Sequence, residues 1–198
     1  MPIMAPVRRT TSVEVLTLRP LVEQSAVVAL AREAPIETQL EALFRTNARY
    51  VGAIALKILG SRDDADDVVQ DVFVAAQRGL GSLRDPRAIK SWLATLTIRT
   101  AKSRLRRKKI LRFFRLSEAP SFLDVASHEV SAEDRAMLAQ LYSVLDQLPV
   151  QERIAWTLRH LHGEQLSDIS EQMRCSLATI KRKICAAQCA IDEVFDNV

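Results

Sequence analysis

Apolar residues recur at intervals of three and four along most of the chain, and that period belongs to amphipathic helices rather than to strands. Ile36, Leu40, Leu43, Phe44, Val51, Ile54 and Ile58 make a first stripe, which Gly60 ends as a left-handed cap residue. Ser61 and Asp64 form a Ser-x-x-Asp start signal for a second stripe, Ala65, Val68, Val69, Val72, Phe73 and Ala76, closed by Gly79 and Gly81. Asp85 before Pro86 reads as an N-cap with proline in the first turn, ahead of Ile89, Trp92, Leu93 and Leu96. Ser131 and Asp134 open a later block in which Leu138, Leu141, Leu145 and Leu148 repeat until Pro149 stops them. Ile154, Thr157, Leu158 and Leu161 then lead to Gly163, and Leu166 to Met173 fits a two-turn helix. Leu177, Ile180, Ile184, Ala187, Ile191 and Phe195 form the last stripe. With 48% apolar residues, 5% aromatics, 5 glycines and 7 prolines in 198 residues, the chain can build helical cores and is a poor candidate for a many-stranded sandwich. The expected fold is all-α: two small helical domains joined by a linker, the C-terminal one a helix-turn-helix.

The charges divide the chain further. Nine Lys or Arg residues and no acid lie between Arg99 and Arg115, whereas Glu118 to Asp134 holds five acids and no Lys or Arg. Subtracting the nine from the net charge of +4 leaves the rest of the chain at −5. On a helix of roughly 25 Å the nine cations make a field suited to phosphates. The acidic stretch, with Pro120 and small polar residues, reads as a linker over 113–132. Asp63, Asp64, Asp66, Asp67 and Asp71 gather at the start of the second helix, where acids complement the helix dipole and offer an acidic surface to a protein partner.

Several function classes lack their residues. No apolar run approaches the roughly 20 residues of a membrane span, so no membrane insertion is expected. Arg8 and Arg9 resemble the start of a signal peptide, but Glu14, Arg19 and Glu23 interrupt any apolar region after them, and a cytoplasmic protein fits better. Residues 1–35 show no clean period: Val13 to Leu18 suits a short strand and Leu21 to Glu33 a helix. Cys175, Cys185 and Cys189 are odd in number and bunched, so reduced thiols are expected. A zinc site would need Cys185, Cys189, His160 and His162 to converge, and His-x-His on a helix diverges. No Ser-His-Asp spacing, phosphate-binding glycine loop or HExxH motif occurs, so no catalytic residue, cofactor or metal is expected, and the chain is read as not an enzyme.

A short helix, a turn at Arg174 to Ser176, and a longer helix capped by Ser176 give the layout of a helix-turn-helix. If Leu177, Ile180 and Ile184 face inward, then Ser176, Thr179, Lys181, Arg182 and Lys183 lie outward, hydroxyls and cations suited to bases and phosphates.

Three motifs in order on one chain resemble the extracytoplasmic-function group of bacterial RNA polymerase sigma factors. Asp64-Ala-Asp-Asp-Val-Val-Gln-Asp-Val-Phe73 is similar to the family's region two segment D-A-E-D-L-V-Q-E-T-F. Trp92-Leu93 through Leu105-Arg106-Arg107 resembles its W-L followed by L-R-R. Leu148-Pro149, Asp168-Ile169 and Thr179-Ile180-Lys181 look like L-P, E-I-A and T-V-K of region four. The resemblance spans about 36–112 and 133–195.

The resemblance implies a subunit that binds core RNA polymerase and directs promoter recognition, opening and transcription initiation. Asp67, Gln70, Asp71 and Phe73 would lie in the polymerase-binding segment. Around the loop from Leu80 to Arg87, with Ser82, Arg84 and Lys90, a flipped base of the minus-ten element would be held. Arg99, Lys102, Arg106, Arg107, Lys108 and Lys109 would meet the DNA backbone, while Ser176, Thr179, Lys181, Arg182 and Lys183 would read the minus-thirty-five element. The implied division is an extension over 1–35, region two over 36–112, the linker, and region four over 133–198. Partners would be core RNA polymerase, promoter DNA and an anti-sigma factor. The chain departs from the family pattern at Arg99 (usually Asn), at Ser103 (usually acidic) and at Arg174 (usually the turn glycine). Cys185, Ala186, Ala187 and Gln188 also replace a string of arginines, which implies weakened or altered minus-thirty-five binding. The alternative reading is a stand-alone helix-turn-helix regulator binding duplex operator DNA; a further one, a protein-only adaptor, predicts no salt-dependent nucleic-acid affinity.

Overall fold

The computed structural model describes residues 36–83, 85–114 and 131–196, and among these every regular element is helical. The expectations for residues 1–35, for Arg84 and for most of the acidic stretch lie outside the described residues. Helix α1 (Ile36–Leu59) ends where Gly60 takes a φ of 74°, the left-handed conformation that favours glycine. Ser61 then caps α2 (Arg62–Gly79), its hydroxyl accepting from the Asp64 amide at 3.4 Å. A 3₁₀ turn, Leu80–Ser82, comes after it. Asp85 caps the next helical turn, accepting from the Arg87 amide at 2.9 Å. That turn, Pro86–Ala88, is nevertheless 3₁₀, and α3 (Ile89–Phe113) begins only at Ile89.

In the second block Ser131 caps α4 (Ala132–Gln147) through the Asp134 amide at 3.0 Å. After Pro149 come α5 (Val150–Trp156) and a π-helical stretch, Thr157–His162, ended by Gly163 at φ 82°. Helices α6 (Leu166–Met173) and α7 (Leu177–Phe195) complete the helix-turn-helix. Arg174, where the motif usually has glycine, sits at φ 52°. Such a conformation costs a side-chain-bearing residue about 1–2 kcal/mol. Two hydrogen bonds hold the turn, from the Arg174 amide to Glu171 and from the Cys175 amide to Ser170, the pattern of a Schellman cap.

Packing joins the two blocks. Val51, Ile54 and Ile58 of α1, Val68 and Val72 of α2, and Leu93, Ile98 and Leu105 of α3 share one core with Ile154, Leu158, Ile169 and Ile180 of the second block. A smaller core of Tyr142, Leu145, Leu148, Trp156, Ala187 and Ile191 ties α4 and α5 to α7. Trp92, half-buried, packs against this core, and Gly79 lets it approach: a Cβ there would lie 2.9 Å from the indole ring. Two expected core residues are out of place. Phe44 is 47% exposed, its ring edge-on to that of Phe73, and Leu177 is 43% exposed because it sits in the first turn of α7, ahead of the buried stripe.

Candidate functional site

The basic helix and the acidic helix meet face to face. Asp64 is the one buried acid of α2; it is 6% exposed and receives Arg104 Nε at 2.9 Å together with the ammonium of Lys108. Arg104 also bridges to Asp67. Burial alone would raise the Asp64 carboxyl, but the hydrogen bonds and charges of Lys108 and Arg104 outweigh it and hold the group below the ordinary carboxylate value. The aspartate cluster is therefore not uniformly a protein-facing surface: Asp64 is structural, Asp67 is paired from one side, and Asp63, Asp66 and Asp71 are exposed.

The far end of α3 is tied to the second block. Arg112 pairs with Asp146 of α4, which also accepts from Arg153 Nη1 at 2.9 Å. Lys109 reaches the carbonyls of Gln147 at 3.4 Å and Leu148 at 3.2 Å. Arg153 is 2% exposed, and its remaining donors go to the carbonyls of Ile58 and Leu59, each at 2.9 Å. Those carbonyls belong to the last turn of α1, which has no intrahelical donor for them, so a cation from α5 completes the helix end. Beside it the Tyr142 hydroxyl donates to the Lys57 carbonyl at 2.9 Å. Burial lowers the Arg153 guanidinium to about 10, which leaves it charged at neutral pH. Sequence periodicity missed Arg153, Asp146 and Tyr142. The one signal was a cation at stripe spacing among Val150, Ile154 and Thr157.

Arg115 lies outside the described residues, and the other eight cations of the run split by face. Arg104, Lys108, Lys109 and Arg112 have protein partners, whereas Arg99, Arg106 and Arg107 project into solvent and Lys102 is half-buried. An open groove of about 410 Å³ runs along this helix between Asp71, Thr100, Ser103, Arg104, Arg107, Lys108 and Leu111. Of the other expected residues, Gln70 and Arg87 are exposed, and Leu80 and Lys90 are half-buried. Ser82 ends the 3₁₀ turn, with its side chain outside the described residues. Phe73 belongs to the core at 6% exposure, so it supports the acidic helix from within rather than presenting itself to a partner.

On α7, Ser176 accepts from the Thr179 amide at 3.2 Å and its hydroxyl meets that of Thr179 at 2.8 Å, so both begin as capping groups. Arg182 reaches Thr179 at 3.4 Å. Lys181 and Arg182 are exposed and Lys183 half-buried, with Ile180 fully buried behind them. Polar and cationic groups therefore face outward at the start of the second helix, the end that such motifs turn toward base edges.

Among the described residues no helix is long and apolar enough to cross a membrane, and no three or more His, Cys, Asp or Glu side chains come together as a metal site. The three cysteines are free, and Cys185 and Cys189 do not converge with the histidines.

Comparison with known proteins gives matches over both blocks. A model of sigma-70 region 2 matches residues 43–110, and one of sigma-70 region 4 matches residues 138–187. The RNA polymerase sigma-H factor of Pseudomonas aeruginosa is 32% identical over 151 residues, covering 72% of this chain and 78% of that protein. The ECF RNA polymerase sigma-E factor of Escherichia coli K12 is 33% identical over 138 residues, 65% of this chain and 72% of that protein. The fold is similar to that of CnrH in complex with the cytosolic domain of CnrY, with a TM-score of 0.60 at 20% identity over 88% of this chain and 97% of that one. It is also similar to the sigma factor RpoE crystallised with the anti-sigma factor NepR from Bartonella quintana, with a TM-score of 0.60 at 20% identity over 77% of this chain and 94% of that one.

Proposed function

The chain belongs to the extracytoplasmic-function RNA polymerase sigma factors of the sigma-70 family, and from that membership we propose how its residues divide the work. It is a sigma factor that directs promoter recognition with RNA polymerase. In our reading Asp67, Gln70 and Asp71 meet the polymerase, with Phe73 holding their helix in place. Leu80, Ser82, Arg84, Arg87 and Lys90 surround the separated minus-ten strand. Arg99, Lys102, Arg106 and Arg107 take its phosphates, and Lys108 and Lys109 join them only after releasing their present partners. Ser176, Thr179, Lys181, Arg182 and Lys183 take the minus-thirty-five duplex. The chain carries out no chemistry itself, works in the cytoplasm with the polymerase, and is held in check by an anti-sigma factor.

One observation supports a further step in this reading: α3 and α7 belong to a single body with a shared core and the Arg153 bond set at its centre. A domain of this size has a radius of gyration of about 15 Å, or roughly 40 Å across. The two promoter elements lie about 25 base pairs apart, roughly 85 Å at 3.4 Å per base pair. A closed body cannot reach both. We therefore infer that the two blocks separate on the polymerase, exchanging the contacts of Lys109, Arg112 and Arg153 for contacts with polymerase and DNA. The experiment for the residue assignment is transcription by core polymerase supplemented with the purified chain. Start-site-specific transcripts that weaken on loss of Arg106 and Arg107 are expected. Transcripts indifferent to those residues would overturn the assignment.

A further inference from the structure

The two cysteines of α7 serve neither the core nor a zinc site with the histidines. Ile180, Ala187 and Ile191 bury one face of the helix, and Ala178, Arg182, Cys185 and Cys189 recur at intervals of three and four on the opposite, exposed face. The thiols thus continue the face that carries Arg182. Their nearness has a chemical signature: Cys185 raises the Cys189 thiol above its ordinary value, first through its charge and also through a hydrogen bond between the two side chains.

Geometry selects among the chemistries open to such a pair. Residues four apart on a helix hold their Cβ atoms about 5–6 Å apart, whereas an unstrained disulfide needs about 3.8 Å. Oxidation to a disulfide would have to distort α7. Tetrahedral metals want three or four donors, and among the described residues no third His, Cys, Asp or Glu joins the pair. A two-coordinate soft cation has neither difficulty. With metal–sulfur bonds no longer than the roughly 2.3 Å of zinc thiolates, set in a line, the sulfurs stand at most about 4.6 Å apart, within reach of this turn. Soft thiolates favour Cu(I) among the available ions.

We propose that Cys185 and Cys189 form a dithiol site for monovalent copper on the exposed face of the second helix of the helix-turn-helix. Binding is an exchange without electron transfer: each thiol gives up its proton to water, each sulfur forms one bond to Cu⁺, and two protons leave for one cation gained. The neutral pair becomes a bis-thiolate carrying one negative charge, beside Arg182 and facing the phosphates that α7 is assigned to meet. Copper should therefore weaken binding to duplex DNA. That consequence rests on the assignment of α7 to the minus-thirty-five element, whereas copper binding itself does not.

The test uses the full chain, reduced and anaerobic, titrated with Cu(I) delivered as its acetonitrile complex against a chromophoric Cu(I) chelator. One copper per monomeric chain is expected, retained by Cys175→Ser and weakened at least tenfold by Cys185→Ser and by Cys189→Ser, with helical circular dichroism unchanged. Equal retention by both of the latter variants would overturn the site. So would a requirement for Cys175, or half a copper per chain with dimers on gel filtration. A fluorescence-anisotropy titration with minus-thirty-five duplex separates the two layers: copper bound through the pair without any effect on DNA binding would refute only the placement of α7 on DNA.

Discussion

Arg153 Nε donates to the carbonyl of Ile58 at 2.9 Å across 95 positions of sequence, so a cation of the second block completes the end of a helix in the first. The same guanidinium serves Leu59 and Asp146, and its 2% exposure keeps water from substituting for it. Arg153→Ala is expected to destabilise the free chain by about 3–5 kcal/mol, the range for removing one partner of a buried, hydrogen-bonded charge pair. Urea unfolding followed by circular dichroism measures it. A loss under about 0.5 kcal/mol would show that the blocks do not depend on this contact.

Asp64 gives the acid response of the fold. Its carboxyl lies below the ordinary value in the folded chain, where Lys108 and Arg104 outweigh burial. The stability it contributes is therefore present above the unfolded value of about 4 and is lost as pH falls through the lower folded value. Asp64→Asn should be less stable than the parent at pH 7, and the gap should close as pH drops below about 4. Urea midpoints at stepped pH check this; a gap that stays constant would mean that the bridge contributes nothing through ionisation.

Arg106 and Arg107 are exposed while their neighbours Lys108 and Lys109 are engaged, which makes them the cleanest probes of phosphate contact. The double alanine variant should bind single-stranded minus-ten DNA in complex with polymerase with a salt dependence reduced by about 0.7 per lost contact. Binding isotherms at several salt concentrations read the slope directly. An unchanged slope would place the DNA on another face of α3.

Asp71 is exposed on α2 and lines the groove beside Arg107 and Lys108. Asp71→Lys should weaken binding to core polymerase at least tenfold while leaving the unfolding midpoint near that of the parent, since an exposed position contributes little to stability. Holoenzyme assembly at parental affinity would remove Asp71 from the polymerase surface.

Much of the fold is legible from local pattern. The stops at Gly60 and Gly163, the caps at Ser61, Ser131 and Ser176, and the two-turn helix before Arg174 all arise from side chains acting on their own backbone within a few residues. The turn at Arg174 shows that layout can survive without glycine when two backbone hydrogen bonds secure it. What sequence could not supply is long-range pairing. Asp64 reads as one acid among five until Arg104 and Lys108, forty and forty-four positions later, are seen to bury it. The basic run likewise reads as one field, and only the fold divides it into cations that hold the protein together and cations left exposed. Arg153 is the clearest case, since nothing near it in sequence is its main partner.

A distance measures the separation of the two blocks on the polymerase. In a chain with serine at its three native cysteines, fluorophores on Gln77→Cys of α2 and Ala186→Cys of α7, both exposed positions, report the spacing of the blocks by energy transfer. A short distance is expected in the free chain, lengthening by roughly 30 Å or more when core polymerase and promoter DNA are added, as the span of roughly 85 Å between promoter elements requires. A distance that stays at its free value in complexes that still produce start-site-specific transcripts would contradict that separation.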